Sequence, residues 1–134
     1  MQWEPEEQAW FTYINFELRY KEIDRARAIY GRFLHVHGHI PQNWIRYSRF
    51  EERLGEITAA RAAYERAIAY FEDGGENGSN LDESLLLAYA QFEERQGEPD
   101  RARAICQYGV DYLPEEGSQE LQQGLRKYQP AITD

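Results

Sequence analysis

A repeated two-helix pattern constrains this chain more than any other feature of its sequence. Residues 43–68 form two helical stripes on either side of Gly55, with apolar side chains recurring every three or four residues. The pattern returns 34 residues earlier and 42 residues later, and in each copy a Phe precedes an Arg by 11 residues. Neither helix can bury its stripe alone, so copies must pack together. The sequence therefore predicts an all-α solenoid of antiparallel helix pairs.

The repeated positions are of two kinds. The first helix of a pair carries a bulky triplet followed by a glutamate, and the second carries an alanine, an arginine and an aromatic residue. They are Trp10, Tyr13, Phe16, Glu17, Ala26, Arg27 and Tyr30; Trp44, Tyr47, Phe50, Glu51, Ala60, Arg61 and Tyr64; and Leu86, Tyr89, Phe92, Glu93, Ala102 and Arg103, with Cys106 in place of the last Tyr. We expect the aromatic members to be mostly buried, and the alanines to let the two helices approach closely.

Each repeated Glu faces a repeated Arg across a tight turn. We predict that Glu17 contacts Arg27, that Glu51 contacts Arg61 and that Glu93 contacts Arg103, within the repeat or with the adjoining one. The contact is direct or runs through a shared neighbour such as a Tyr hydroxyl. One identical pair per repeat indicates architecture rather than catalysis. The alternative is that these arginines belong to a binding surface.

The pattern divides residues 1–134 into one solenoid of about three and a half repeats. Repeat 1 covers about 5–38, repeat 2 about 41–72 and repeat 3 about 81–113, with a Gly/Asn/Ser-rich loop at 73–80. A partial fourth repeat covers about 117–129, where Gln122, Leu125 and Tyr128 take the places of the bulky triplet. The expected left-handed turn residue is Gly55, and the expected N-caps are Asp24, Thr58, Asp82 or Ser84, and Asp100.

Composition narrows the classes of function. The net charge of −9 argues against non-specific binding to nucleic acid, whose phosphates need Lys and Arg. No apolar run approaches the roughly 20 residues of a membrane helix. Residues 1–10 have no basic region or apolar core, so we expect no signal peptide. A lone cysteine excludes an internal disulfide and fits a reducing compartment.

The residues with possible chemistry form no complete set. His35, His37 and His39 alternate, but Gly38 interrupts the helix and no further ligands complete a zinc site. Cys106 stands at a core position, where a buried thiol is more typical than a nucleophile. No phosphate-binding loop or catalytic triad signature is present. We therefore expect no enzyme activity, no cofactor and no metal.

The residues W-x-x-Y-x-x-F-E in the first helix and A-R-x-x-Y-E-R-A in the second resemble the HAT repeat, the half-a-TPR unit of RNA-processing proteins. The segments 5–37, 43–55 and 60–68 are specifically similar to the Crooked neck family of spliceosomal scaffolds, and the likeness extends over roughly residues 3 to 113. The resemblance implies a nuclear scaffold of pre-mRNA splicing, with HAT-repeat and Myb-like factors of the NineTeen complex as partners.

Members of that family carry many more repeats, so the resemblance implies a fragment or a truncated relative. A short array is expected to expose apolar faces at its ends, because terminal repeats of complete arrays have a polar outer side. The alternative function is an RNA-binding helical-repeat module, since other solenoids read nucleic acid through repeat side chains. The acidic balance weighs against direct RNA contact.

Overall fold

The computed structural model describes residues 5–73 and 81–128. Within these ranges the fold is of the α-solenoid type, made of helix pairs and without a β-strand. The helices are α1 (Pro5–Arg19), α2 (Ile23–His37), α3 (Pro41–Arg53), α4 (Ile57–Glu72), α5 (Glu83–Arg95), α6 (Pro99–Tyr112) and α7 (Gln119–Lys127), with a short 3₁₀ turn at Glu115–Gly117. The all-α prediction is confirmed. Most of the predicted 73–80 loop lies outside the described residues.

The chain divides into two compact units, which we describe separately. The first, Met1–His39, contains the α1–α2 pair, and the second, Ile40–Asp134, contains α3 to α7. Inside the second unit α3 pairs with α4 and α5 with α6, while α5 also lies against α3 and α4. The last helix, α7, packs on α6 and α5. Successive first helices therefore lie side by side in this unit. The prediction of one solenoid over residues 1–134 stays a prediction.

The three pairs are closed by the same kind of turn. Each turn passes through one residue with left-handed backbone, namely Lys21 (φ 58°), Gly55 (φ 80°) and Gly97 (φ 75°). The next residue donates its N–H to the carbonyl five residues earlier, at 2.8 Å in the first turn and 2.9 Å in the other two. This is the geometry that satisfies the free carbonyls of a helix end. The role predicted for Gly55 is confirmed.

Three of the predicted N-caps are wrong. Asp24, Thr58 and Asp100 lie inside the first turns of α2, α4 and α6, because each of these helices begins earlier. In these three helices the cap residue is the glutamate of the preceding turn, and its backbone carbonyl accepts the N–H of the repeated alanine at 2.9–3.0 Å. These helices therefore begin without a side-chain hydrogen bond at the cap. Asp82 does cap α5, and its carboxylate accepts the N–H of Leu85 at 3.2 Å.

The core follows the repeat in the second unit. Trp44, Tyr47 and Phe50 of α3 are buried, as are Tyr89 and Phe92 of α5. The repeated alanines are fully buried in both units, which confirms their predicted role as points of close approach; they are Ala26, Ala60 and Ala102. Within the described ranges, every helix is too short or too polar to cross a lipid bilayer.

The first helix departs from the prediction. Tyr13 and Phe16 are 66% and 51% exposed, and Trp10 is only partly buried. Helix α1 packs on α2 through the neighbouring face, whose Phe11 and Ile14 are buried. In α5 the equivalent Tyr89 and Phe92 pack on Tyr64 of α4, the second helix of the preceding pair. Among the described residues no helix pair precedes α1, so its stripe has no such partner.

Candidate functional site

Glu93, near the end of α5, is the centre of a charged contact between successive helix pairs. Its side chain is fully buried, and Arg61 of α4 donates two hydrogen bonds to it, at 2.7 Å to Oε2 and 2.8 Å to Oε1. Arg101 of α6 donates a third, at 3.1 Å to Oε2. A planar guanidinium bonded to both carboxylate oxygens fixes orientation as well as distance. Glu93 therefore joins the second helix of one pair to both helices of the next.

The charges of this contact stabilise one another. Burial raises the pKa of Glu93, but the hydrogen bonds and charges of Arg61 and Arg101 outweigh burial, so the pKa lies below its ordinary value of 4.5. The hydrogen bond to Glu93 in turn raises the pKa of Arg61. The carboxylate is ionised at neutral pH and its oxygens are occupied. This arrangement holds the helices of successive pairs together.

Aromatic rings surround the ion pair. The ring of Tyr64 in α4 stacks on that of Tyr89 in α5, with centroids 5.1 Å apart, and lies 5.3 Å from the ring of Phe92. The Arg61 guanidinium lies 5.8 Å from the centroid of Phe92, within the range of a cation–π interaction. Burial raises the pKa of Tyr64 to about 12. The repeated Arg and Tyr of one pair thus receive the repeated Tyr, Phe and Glu of the next.

A second, outer series of ion pairs links successive first helices. Glu52 of α3 accepts two hydrogen bonds from Arg95 of α5, both at 2.8 Å. The equivalent Glu94 of α5 lies 3.1 Å from the amino group of Lys127 in α7 and also accepts a bond from the Tyr128 hydroxyl. The hydrogen bond from Arg95 lowers the pKa of Glu52. These more exposed pairs fix the spacing of α3, α5 and α7.

A groove of about 330 Å³ opens between α3, α5 and the start of α7. The groove is lined by amide and guanidinium donors, by apolar side chains at its floor and by two carboxylates. The lining residues are Gln42, Ile45, Arg49, Glu83, Ser84, Leu87, Ala88, Gln91 and Glu120. One carboxylate is already occupied, because Glu83 accepts the backbone N–H groups of Glu120 and Leu121 at 2.9 and 3.2 Å. Donors above an apolar floor can hold a short peptide segment with an apolar side chain and an acidic group.

Comparison with known families gives a match to one family model. The HAT (Half-A-TPR) repeat model matches residues 21–53. This segment runs from the turn before α2 to the end of α3, and it supports a helical-repeat module of the protein-interaction class. No curated protein matches the chain. The narrower likeness to the Crooked neck family therefore rests on the sequence resemblance.

The repeated arginines were each predicted to contact a repeated glutamate. Arg61 contacts a glutamate of the adjoining pair, as one of the two predicted arrangements has it. The predicted partner of Glu93 within its own pair is wrong, because the α6 arginine that bonds Glu93 is Arg101, while Arg103 lies on the exposed side of α6. The hydroxyl of Tyr47 donates to Glu51 at 2.8 Å. In the first pair, Arg27 lies 3.3 Å from Asp24, one helical turn away.

Cys106 takes the place of the repeated tyrosine in α6 and is fully buried, as predicted for a core thiol. Burial raises the pKa of this thiol to about 11, so it is protonated at neutral pH and a poor nucleophile. Gly124 of α7 lies against it, and a Cβ at Gly124 would come within 2.7 Å of the Cys106 sulfur. A small residue on each helix lets α7 pack closely on α6.

The alternating histidines lie at the end of the first unit. His35 is exposed, and the His37 ring lies 5.3 Å from that of Phe33, with its Nε2 3.6 Å from a carboxylate oxygen of Glu6. Across residues 5–73 and 81–128, no group of three or more His, Cys, Asp or Glu side chains is arranged to hold a metal ion. The histidine spacing thus produces no ligand cluster in this part of the chain.

The sequence contained a signal for the outer ion pairs that the repeat pattern did not use. The letters F-E-E-R occur at 50–53 and again at 92–95, and they contain Glu52, Glu94 and Arg95. Arg101 has a partial signal, because the letters D-R-A-R-A-I occur at 24–29 and again at 100–105, whereas the second copy has Ala59 at the position of Arg101. That Arg101 bonds Glu93 follows only from the packing of α6 on α5.

Proposed function

We propose that this chain is a non-enzymatic scaffold of pre-mRNA splicing, part of a HAT-repeat array that binds other spliceosomal proteins in the nucleus. The observation that carries the proposal is the joining of helix pairs through Glu93. In its buried contact with Arg61 and Arg101, the charged side chains are paired with one another. Their role in this contact is to hold helix pairs in a rigid arrangement rather than to carry out chemistry. The match to the HAT repeat at residues 21–53 supports the same class.

The splicing role follows from the resemblance to the Crooked neck family. Partners of this class would be HAT-repeat and Myb-like proteins of the NineTeen complex. In the second unit, we propose that such a partner inserts a peptide segment into the groove between α3 and α5. Arg49 and the amides of Gln42 and Gln91 would bind an acidic group, and Ile45 and Leu87 an apolar side chain.

The test is affinity purification of the tagged chain from nuclear extract, with and without ribonuclease, followed by mass spectrometry. We expect splicing proteins to be enriched and to stay bound after ribonuclease treatment. Loss of all partners on ribonuclease treatment, together with tight RNA binding that weakens steeply with salt, would instead establish the RNA-binding alternative. Recovery of no splicing protein under either condition would refute the splicing role.

A pair of charge reversals locates the binding surface. Arg49 lines the groove, whereas Arg103 lies exposed on α6, outside it. Arg49→Glu should remove the groove-bound partner, and Arg103→Glu should leave it bound. The second variant is a matched control, because both changes alter the net charge equally. If Arg103→Glu removes the partner and Arg49→Glu does not, the repeated arginine of α6 forms the binding surface and the groove does not.

A further inference from the structure

Two tyrosines, Tyr108 and Tyr112, form an exposed stack on α6 beside the end of α4. Their rings are nearly parallel, at 17°, with centroids 5.6 Å apart. The Tyr108 hydroxyl donates a hydrogen bond to Oε1 of Glu72 in α4, which places the stack between the two helices. Tyr112 is 48% exposed, and among the described residues no ring other than that of Tyr108 lies against it. One face of the Tyr112 ring is therefore open to a ligand.

Carboxylates flank this stack on both sides. Glu72 lies on α4, and Asp111 lies on α6, next to Tyr112 in the sequence. Both carboxylates are exposed. Among the described residues, Tyr108 donates a hydrogen bond to the first, and Gln107 donates one to the second at 3.0 Å. A carboxylate offers about four acceptor positions, so both can bond a further donor.

The helix ends at this stack lack the positive charge that four other helices carry. Helices α1, α3, α5 and α7 each have an Arg or Lys in the last turn, where the negative end of the helix dipole favours a cation. The last turns of α4 and α6 have none, and α4 ends on Glu72 instead. The residues outside the described ranges, 1–4, 74–80 and 129–134, contain no Lys or Arg either. Within residues 1–134, no Lys or Arg is therefore paired with Glu72 or Asp111.

The preceding helix pair shows which group occupies the equivalent place. The counterparts of Tyr108 and Tyr112, 42 residues earlier, are Arg66 and Tyr70. The Arg66 guanidinium lies over the ring of Trp44, 5.4 Å from its centroid, and the Tyr70 ring lies 6.0 Å from the same ring. In the third pair a tyrosine replaces this arginine, so the place has aromatic rings but no guanidinium of its own.

We propose that the Tyr108–Tyr112 stack binds an arginine side chain from a basic segment of another protein. The guanidinium would lie on the open face of the Tyr112 ring and donate hydrogen bonds to Asp111 or Glu72. A guanidinium is planar, so it can stack on a ring and bond a carboxylate through two donors, whereas the ammonium of lysine cannot. This surface lies on α4 and α6, apart from the groove between α3 and α5, and it does not depend on the splicing role.

A further repeat of the same array would leave the stack uncovered. Tyr108 lies on the side of α6 that faces α4, the second helix of the preceding pair. Helix α5 packs on α3 and α4, and α7 packs on α5 and α6, so each new helix is added on the side away from the earlier pairs. A repeat that precedes α1 cannot reach α6, because each repeat contacts only its neighbours. The arginine is therefore not supplied by the stacking of repeats.

The test is a titration of the isotope-labelled full chain, followed by NMR, with two peptides of equal charge. They are acetyl-Gly-Arg-Gly-Arg-Gly-Arg-Gly-amide and its counterpart with lysine in place of each arginine. We expect the arginine peptide to shift the backbone signals of residues 108–113. It should bind at least about threefold more tightly than the lysine peptide, because only arginine can stack and bond through two donors. Equal affinities, or shifts confined to other residues, would overturn the proposal.

Two variants of the full chain locate the contact. Tyr112→Leu keeps the net charge and an apolar side chain but removes the ring, and it should weaken binding of the arginine peptide about threefold or more. Asp111→Asn should weaken it about twofold or more through loss of the ion pair. Unchanged affinity in Tyr112→Leu would refute the stacking contact. Sedimentation of the chain alone adds a check, because a dimer that dissociates in Tyr112→Leu would make a second copy the occupant, contrary to the proposal.

Asp100→Asn is the matched control, because it makes the same change of charge on the same helix. Asp100 is exposed and lies about 16 Å from Asp111 along α6, roughly twice the Debye length at physiological salt. It should therefore change binding less than about 1.5-fold. Equal losses with Asp100→Asn and Asp111→Asn would show a general attraction to an acidic chain and would also overturn the proposal. Circular dichroism checks that helix content is unchanged, as expected for exposed positions.

Discussion

Removal of Arg61 tests whether the buried contact at Glu93 holds the helix pairs together. The change Arg61→Ala deletes two hydrogen bonds, at 2.7 and 2.8 Å, and the packing of the guanidinium on Phe92. Leaving a buried charge unpaired costs about 3–5 kcal/mol. Arg101 stays bonded to Glu93 at 3.1 Å, so the loss is incomplete, and we expect the free energy of unfolding to fall by about 2–3 kcal/mol.

The double variant separates the pair interaction from other losses. In Arg61→Ala with Glu93→Gln, no buried carboxylate is left without its main partner, so the combined cost should be below the sum of the single changes by about 1–2 kcal/mol. The matched control is Arg95 with Glu52, which has the same two-bond geometry at 2.8 Å but side chains 44% and 18% exposed. Surface pairs of this kind contribute about 0–1 kcal/mol.

Urea unfolding followed by far-ultraviolet circular dichroism measures all of these variants, with free energies obtained by linear extrapolation. We expect a large coupling energy between Arg61 and Glu93 and a small one between Arg95 and Glu52. Equal couplings, or an Arg61→Ala variant within about 0.5 kcal/mol of the unmodified chain, would show that burial of Glu93 does not strengthen the contact.

The remaining predictions concern stability. Phe50→Ala should cost about 3–5 kcal/mol in urea unfolding because Phe50 is buried, whereas Phe16→Ala, at the equivalent exposed position, should cost less than about 1. Lys21→Gly should raise the free energy of unfolding by about 0.5–1 kcal/mol, and with it the melting temperature. The reason is that Lys21 has φ 58°, a backbone conformation in which glycine has no Cβ penalty. The pKa of Glu93 lies below 4.5, so its stabilisation is present above that pH and is lost as pH falls through the lower, folded-state pKa. On acidification, the free energy of unfolding should therefore fall less in Glu93→Gln than in the unmodified chain. An equal fall in both proteins would contradict this assignment.

Much of the local structure could be predicted because it depends on short-range patterns. The three-and-four spacing of apolar residues predicted the helix pairs, and Gly55 predicted a left-handed turn that the structure has at φ 80°. The burial of Ala60 and Phe50 followed from the same periodicity. The N-caps predicted for α2, α4 and α6 were wrong because a backbone hydrogen bond across the turn, rather than a side chain, begins each of these helices.

By itself the sequence determined which residues share a helix face, because helical periodicity is a property of one segment. Only the tertiary structure decided what each face meets. It assigned Glu93 to Arg61 of the preceding pair and to Arg101, although sequence spacing gave Arg103 as the partner within the pair. It also left Phe16 exposed while the equivalent Phe92 is buried against Tyr64 of α4. The same kind of stripe is exposed in one helix and buried in another because burial depends on whether a neighbouring helix covers it.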